Sequence, residues 1–131
     1  MCNRATSVNF HKRFFIVFLI ALSAVSCNDA KKKSAYTIGF SQCVGSDLWR
    51  RTMLEEMKTE LSLHPGVNFI YTDADNNSEK QIGQVNKMLK DGIDLLIISP
   101  NEARPLTPVV EEAYNKGIPV IVIDRKTASS F

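Results

Sequence analysis

Along this chain the spacing of apolar positions alternates between two patterns. From residue 36 onward, short dense apolar runs are followed by longer stretches in which apolar residues recur every three or four positions. The short runs, at 36–41, 67–72, 94–99 and 118–123, predict β-strands. The last two, DLLIIS and IPVIVI, are almost continuously apolar. Strands covered by helices on both faces have that composition, whereas strands with one wet face alternate. The longer stretches predict helices. Leu54, Met57 and Leu61 form one stripe, and Ile82, Val85, Met88 and Leu89 form another. Ser78 and Gln81 have the spacing of a capping box at the start of the second helix. The third helix is expected to begin near Thr107, with Pro108 as its first helical residue. Val109, Val110, Ala113 and Tyr114 would then face the sheet.

A punctuation repeats with these elements. Helical stretches are expected to end at Gly66, Gly92 and Gly117, each followed at once by an apolar residue, at intervals of 26 and 25 residues. Glycine tolerates the left-handed conformation that closes a helix. A strand, a turn, a helix and a turn fit this interval, so the chain reads as successive βαβ units. The fold class is α/β, a doubly wound parallel sheet.

Residues 1–35 follow neither pattern. Arg4, His11, Lys12 and Arg13 precede a 12-residue apolar run, FFIVFLIALSAV, broken only by Ser23. A membrane-spanning helix needs about 20 apolar residues, and the core of an export signal needs fewer. Residues 1–26 are therefore expected to be a signal peptide. Ala24 and Ser26 stand three and one places before a cut ahead of Cys27. Ala24-Val25-Ser26-Cys27 also resembles a lipobox, although a leucine is usual where Ala24 stands. Lipidation of Cys27 is the expectation, with ordinary cleavage and an uncleaved anchor as alternatives. Residues 27–35, with three consecutive lysines, read as a solvated tether, and residues 36–131 as the domain. The expected location is the periplasm, with a lipid holding the protein at the membrane.

The leader also accounts for the charge. The whole chain is formally +2, yet the leader holds three basic residues and no acid, which leaves 13 basic and 14 acidic side chains in the other 105 residues. Such a domain has no positive field to attract a phosphate backbone, so nucleic acid is not an expected partner. Of three cysteines, Cys2 departs with the leader and Cys27 is assigned to lipid. Cys43 is left alone and is expected to be a small buried or half-buried residue with no catalytic role.

Ligands of open α/β sheets bind beyond the carboxyl ends of the strands, which directs attention to four loops. The first carries Gln42, Cys43, Ser46 and Asp47 and leads to Trp49 and Arg50. The second carries Asp73, Asp75, Asn76 and Asn77. The third carries Asn101 and Glu102, and the fourth Asp124 and Arg125. A carboxylate can accept from two neighbouring hydroxyls, and a guanidinium offers a rigid fork of donors. Asp124 and Arg125 are therefore candidate ligand residues, or else an ion pair bonded to itself. Trp49, the single tryptophan, could stack on a sugar ring or lie in the core. Asp47 is either a ligand group or the helix N-cap, and Arg50 is a further candidate. Residues 73–77 begin like a calcium loop. Ser78 stands where the loop needs glycine and Gln84 where it needs glutamate, so no metal is expected. No cofactor is expected either, because neither G-x-G-x-x-G nor a P-loop follows the first strand. His64 is the only histidine after the leader and has no nucleophile within its pattern. A binding protein is expected, not an enzyme.

TIGFSQ, YTDADNN, DGIDLLIISP and KGIPVIVIDR, taken in that order, resemble the type I periplasmic binding proteins for ribose and related sugars, and also the ligand domains of lactose-repressor-type regulators. The resemblance covers about 36–126. It implies the N-terminal lobe of a two-lobed fold, truncated before its fifth strand, hinge and second lobe, and hence negligible sugar affinity for the isolated chain. It implies sugar contacts from Asp124 and Arg125. It matches Trp49 and Arg50 to a pair of stacking aromatics, with Arg50 a departure, and Ser46 to a hydroxyl-binding asparagine. The implied role is monosaccharide binding in uptake, with a membrane permease as partner. SQCVGSDLWRRTMLEEM resembles the sensor domains of hybrid two-component histidine kinases, so the alternative is an extracytoplasmic sensing domain joined to a kinase module.

If Cys27 is acylated, cells grown with labelled palmitate will yield a labelled protein whose mass begins at residue 27. Cys27→Ser will abolish the label. A wild-type protein cut before Cys27 but unlabelled would leave only ordinary cleavage.

Overall fold

The structure, a computed structural model, describes residues 36–129. The expected signal peptide, the tether and Cys27 lie outside the described residues. Four strands and three helices alternate through the described part: β1 (Tyr36–Gln42), α1 (Leu48–Ser62), β2 (Val67–Asp73), α2 (Ser78–Asp91), β3 (Leu95–Ser99), α3 (Ala103–Asn115) and β4 (Val120–Val122). The strands form one parallel sheet in the order β2-β1-β3-β4. This is the expected α/β doubly wound sheet. Its order reverses between β1 and β3, where the chain first leaves β1 to one side and then returns past it. In open α/β sheets ligands bind at such a reversal, beyond the carboxyl ends of the strands.

Register assigns each residue to a face. Ile38, Phe40, Phe69, Tyr71, Leu95, Ile97 and Ile121 lie on one side, and Gly39, Ile70, Leu96, Ile98, Val120 and Val122 on the other. The second side carries the main core. Val85, Met88 and Leu89 of α2 and Leu106, Val109, Val110 and Ala113 of α3 pack there with Leu96 and Ile98. Gly39 permits the approach of α2: a Cβ at that position would come within 2.9 Å of Met88 Sδ and 3.1 Å of Ile93 Cδ1. Right-handed crossovers place α1 on the opposite side. There Phe40 is fully buried, with ring centroids 5.6 Å from Tyr71 and 6.4 Å from Phe69. The cover on this side is uneven. Met53, Leu54, Met57 and Leu61 of α1 are only half-buried, and Ile121 on the edge strand is 47% exposed.

Several boundaries differ from the sequence reading, each for a local reason. Helix α3 starts at Ala103, not near Thr107, and Pro108 lies inside it. At this interior position the proline has no N–H to give to the carbonyl four residues earlier, that of Arg104. Tyr114 is exposed, not turned to the sheet, because the apolar stripe of α3 runs through Leu106, Val109, Val110 and Ala113. Helix α1 ends before Gly66: its C-cap is Leu63, and Gly66 instead offers its carbonyl to Tyr36 N. Gly92 and Gly117 do take the left-handed conformation, with φ of 81° and 77°. The N-cap of α2 is Asn77, which accepts from Lys80 N at 2.9 Å, so Ser78 and Gln81 make no capping box. Strand β4 shrinks to three residues, although bonds from Leu96 N to Pro119 O and from Ile123 N to Ile98 O extend its attachment.

The two sheet faces should therefore respond differently to truncation. Ile98→Ala, in the closed core, is expected to cost about 2–5 kcal/mol in denaturant melts. Ile121→Ala, on the half-open face, should cost less than about 1 kcal/mol. Equal losses would contradict the assignment of faces.

Candidate functional site

The site is built where the loops after β1, β2, β3 and β4 meet. Asp73, the last residue of β2, joins the first two loops. Its Oδ2 accepts from Gly45 N at 3.0 Å and its Oδ1 from Asp75 N at 2.9 Å. Gly45 lets these side chains come close, since a Cβ there would stand 2.6 Å from Asp73 Oδ2 and 2.7 Å from the Tyr71 hydroxyl. Asp75 and Asn76 follow in the left-handed region, and Asp75 is paired with Lys80. Both oxygens of Asp73 thus serve backbone N–H groups within a polar turn.

Beneath these loops lies a buried polar network centred on Gln81. Its Nε2 donates to Ser99 O at 2.9 Å and to Ser41 Oγ at 3.2 Å, and its Oε1 accepts from Asn101 N at 2.8 Å. Asn101 in turn donates from Nδ2 to Ser78 Oγ at 3.0 Å. Helix α2 is thereby tied to the ends of β1 and β3. Buried amides of this kind are costly when unpaired and rigidifying when paired. Sequence reasoning missed Gln81 as a hub and assigned it to a cap. The available signal was its position on the stripe of Val85 and Met88, where a polar side chain must find partners in the core.

At the surface of this floor, Arg50 gathers three of the candidate residues. Its Nη1 donates to Asp47 Oδ2 at 2.6 Å and its Nη2 to Asp124 Oδ2 at 2.5 Å. Its Cζ lies 5.6 Å from the centroid of the Trp49 ring, a cation–π separation. The Arg50 side chain is only 14% exposed. The carboxylate of Asp47 and then that of Asp124 hold its proton more firmly than usual. Asp47 is the N-cap of α1 and accepts from Arg50 N through Oδ1. That backbone bond, followed by the guanidinium, holds the Asp47 carboxyl below the usual carboxylate range.

Asp124 lies just past β4 with φ of 64°, a left-handed conformation uncommon for a residue with a side chain. Its Oδ2 also accepts from Ser99 Oγ at 3.0 Å. Ser99 Oγ lies 3.5 Å from Cys43 Sγ, which is fully buried. Arg125 does not pair with Asp124. Its Nη1 donates to Asn101 O at 2.6 Å, which binds the fourth loop to the third. Trp49 is 56% exposed, so it is not a core residue. Ser46 is exposed, one residue before Asp47. Asp124 and Arg125, with Lys126, Thr127 and Ser129, line an open depression at this edge. Asp47, Trp49, Arg50 and Asp124 are thus joined in one cluster, and Arg125 borders it. Ser99 is the second residue that the sequence reading left out, since a serine ending an apolar strand carries no distinguishing pattern.

A parallel doubly wound sheet with a polar cluster beyond its strand ends has the architecture in which open α/β sheets bind ligands. Residues 38–130 match the family described as periplasmic binding protein domain, and the chain belongs to that family. It is 29% identical over 126 residues to the ribose import binding protein of Bacillus subtilis, covering 93% of this chain and 41% of that protein. It is 32% identical over 109 residues to the galactofuranose-binding protein of Escherichia coli, covering 82% of this chain and 34% of that protein. Among solved structures, the fructose-binding periplasmic domain of a hybrid two-component system is similar, with a TM-score of 0.70 and 46% identity. That match covers 72% of this chain and 31% of the other. The chain therefore spans well under half the length of these relatives.

The lowered Asp47 pKa fixes the sign of a pH dependence. The ionised, paired carboxylate contributes stability that is fully present above the unfolded value of about 3.9. The contribution disappears as pH falls through the lower folded value. Asp47→Asn retains a cap but loses the ion pair. Its thermal midpoint should lie below wild type at pH 7, and the gap should close on acidification toward pH 2.5. A gap that stays constant with pH would show that the ion pair contributes nothing.

Proposed function

We propose that this chain forms one wall of an extracytoplasmic site for a neutral monosaccharide, working in sugar uptake. The observation that carries the reading is the Asp47–Arg50–Asp124 cluster with Trp49 beside it, at the strand-order reversal of a periplasmic binding protein domain. The cluster offers what a sugar needs. A carboxylate oxygen accepts from hydroxyls, an exposed indole face meets the C–H face of a ring, and Arg125 supplies further donors. The charges of Asp47, Asp124, Arg50 and Arg125 cancel, which suits an uncharged ligand. Ser46, exposed in the first loop, would add a hydroxyl contact.

The family's location supports a periplasmic site, and lipid at Cys27 would keep the protein near a permease. A second reading, a sensing domain that signals to a kinase module, is favoured by the 46% identity to a hybrid two-component domain. Both readings use the same site and differ only in what closure of the site drives.

The protein purified at the length its own gene encodes should be titrated by calorimetry with D-fructose, D-ribose, D-xylose and myo-inositol. Saturable binding of at least one is expected. Asp124→Ala should weaken it about 10–100-fold, the loss of a charge-assisted hydrogen bond of about 1.5–3 kcal/mol. Absence of binding across a wide panel of neutral sugars would sink the reading.

A further inference from the structure

Asp47, Trp49, Arg50 and Asp124 differ sharply in how their polar atoms are occupied. Both oxygens of Asp47 are taken, one by Arg50 N and one by Arg50 Nη1. Asp124 is used on one side only: Oδ2 receives both Arg50 Nη2 and Ser99 Oγ, and neither bond uses Oδ1. The guanidinium is spent on two carboxylates and lies against one face of the indole. Its Nε is buried without a partner.

We infer that Arg50 is a positioning residue, a latch that orients the Asp124 carboxylate and the Trp49 ring while leaving Asp124 Oδ1 and the outer indole face to the ligand. This division of labour rests on the sugar-binding reading of the same edge. Asp47 and Arg50, both candidate ligand residues by sequence, then act through Asp124 and Trp49 and do not touch the sugar.

Three physical points support the latch. The backbone of Asp124 is left-handed, a conformation that persists where surrounding contacts over-determine it. Its carboxylate provides them, through Arg50 on α1 and Ser99 at the end of β3. Second, β4 has only three residues, so its following loop needs an anchor outside the sheet. Third, the planar fork of arginine reaches two carboxylates at once, which a lysine ammonium cannot do with the same rigidity. A monosaccharide entering such a site finds its acceptor and stacking surface already oriented, so less freedom is lost on binding.

The test uses Trp49, the single tryptophan of the 131-residue chain, produced with its leader and assayed without any sugar. Emission maximum and acrylamide quenching are measured at pH 7 for wild type, Arg50→Met, Asp124→Asn and the double variant, with circular dichroism to confirm folding. Asp124→Asn keeps the α1 cap and the Asp47–Arg50 pair, so it remains informative if Arg50→Met unfolds. Asp124→Asn is expected to raise the quenching of Trp49, and this effect should vanish in the Arg50→Met background. Arg50→Lys should restore the fold but not the wild-type quenching. The latch is overturned if Asp124→Asn leaves Trp49 unchanged, or if it changes Trp49 equally in both backgrounds. In the protein at its gene-encoded length, Arg50→Lys should also weaken sugar binding about tenfold. If no sugar binds yet the coupling is present, the latch stands and the sugar reading falls. If sugar binds and the coupling is absent, the latch falls alone.

Discussion

Strand β1 is hydrogen-bonded on both sides, to β2 over its whole length and to β3 over its carboxyl-terminal part. This double pairing is the constraint on which the remaining architecture depends. Because β1 is the first of the described strands but lies inside the sheet, the next two strands lie on opposite sides of it. Their crossover helices must then lie on opposite faces. The loops after β1 and β3 then start side by side and lead to helices on opposite faces. The catch between those loops is small, a contact of Cys43 Sγ with Ser99 Oγ under the bond of Ser99 to Asp124. Backbone pairing thus brings together residues that are 56 and 25 positions apart.

This loop edge is held at two depths. Below, the Gln81 amide satisfies backbone groups at the ends of β1 and β3 and so fixes the floor. Above, Arg50 spans from the cap of α1 to the loop after β4. The lower network is neutral and buried, and its strength comes from complete pairing in a low-dielectric setting. The upper one is charged and nearer to water. Surface ion pairs contribute little on average, but a mostly buried guanidinium between two carboxylates has fixed geometry.

The uneven burial of the two sheet faces bears on how the domain holds together. On the side of α2 and α3 the core is closed, with ten buried residues in one cluster. On the side of α1, Phe40 is sealed while Ile97 is half-buried and Ile121 exposed. The near-continuous apolar character of β3 and β4 had suggested cover on both faces. Within the described residues only one face of β4 has it.

The apolar spacing determined the class of fold, the four strands and the three helices, and with them the edge on which the polar loops gather. These follow from periodicity, because a strand or a helix must bury its apolar face whatever its neighbours are. The left-handed turns at Gly92 and Gly117 were equally legible, since few other residues tolerate them. The partners of each polar side chain were decided only by tertiary structure. Asp124 and Arg125 are adjacent in sequence yet bond to different loops, and Arg50 reaches Asp124 across 74 positions. Gln81 could satisfy a helix end or a core network, and only the position of β1 and β3 beside α2 selected the network. Long-range pairing depends on which surfaces meet, and a one-dimensional pattern does not contain that geometry.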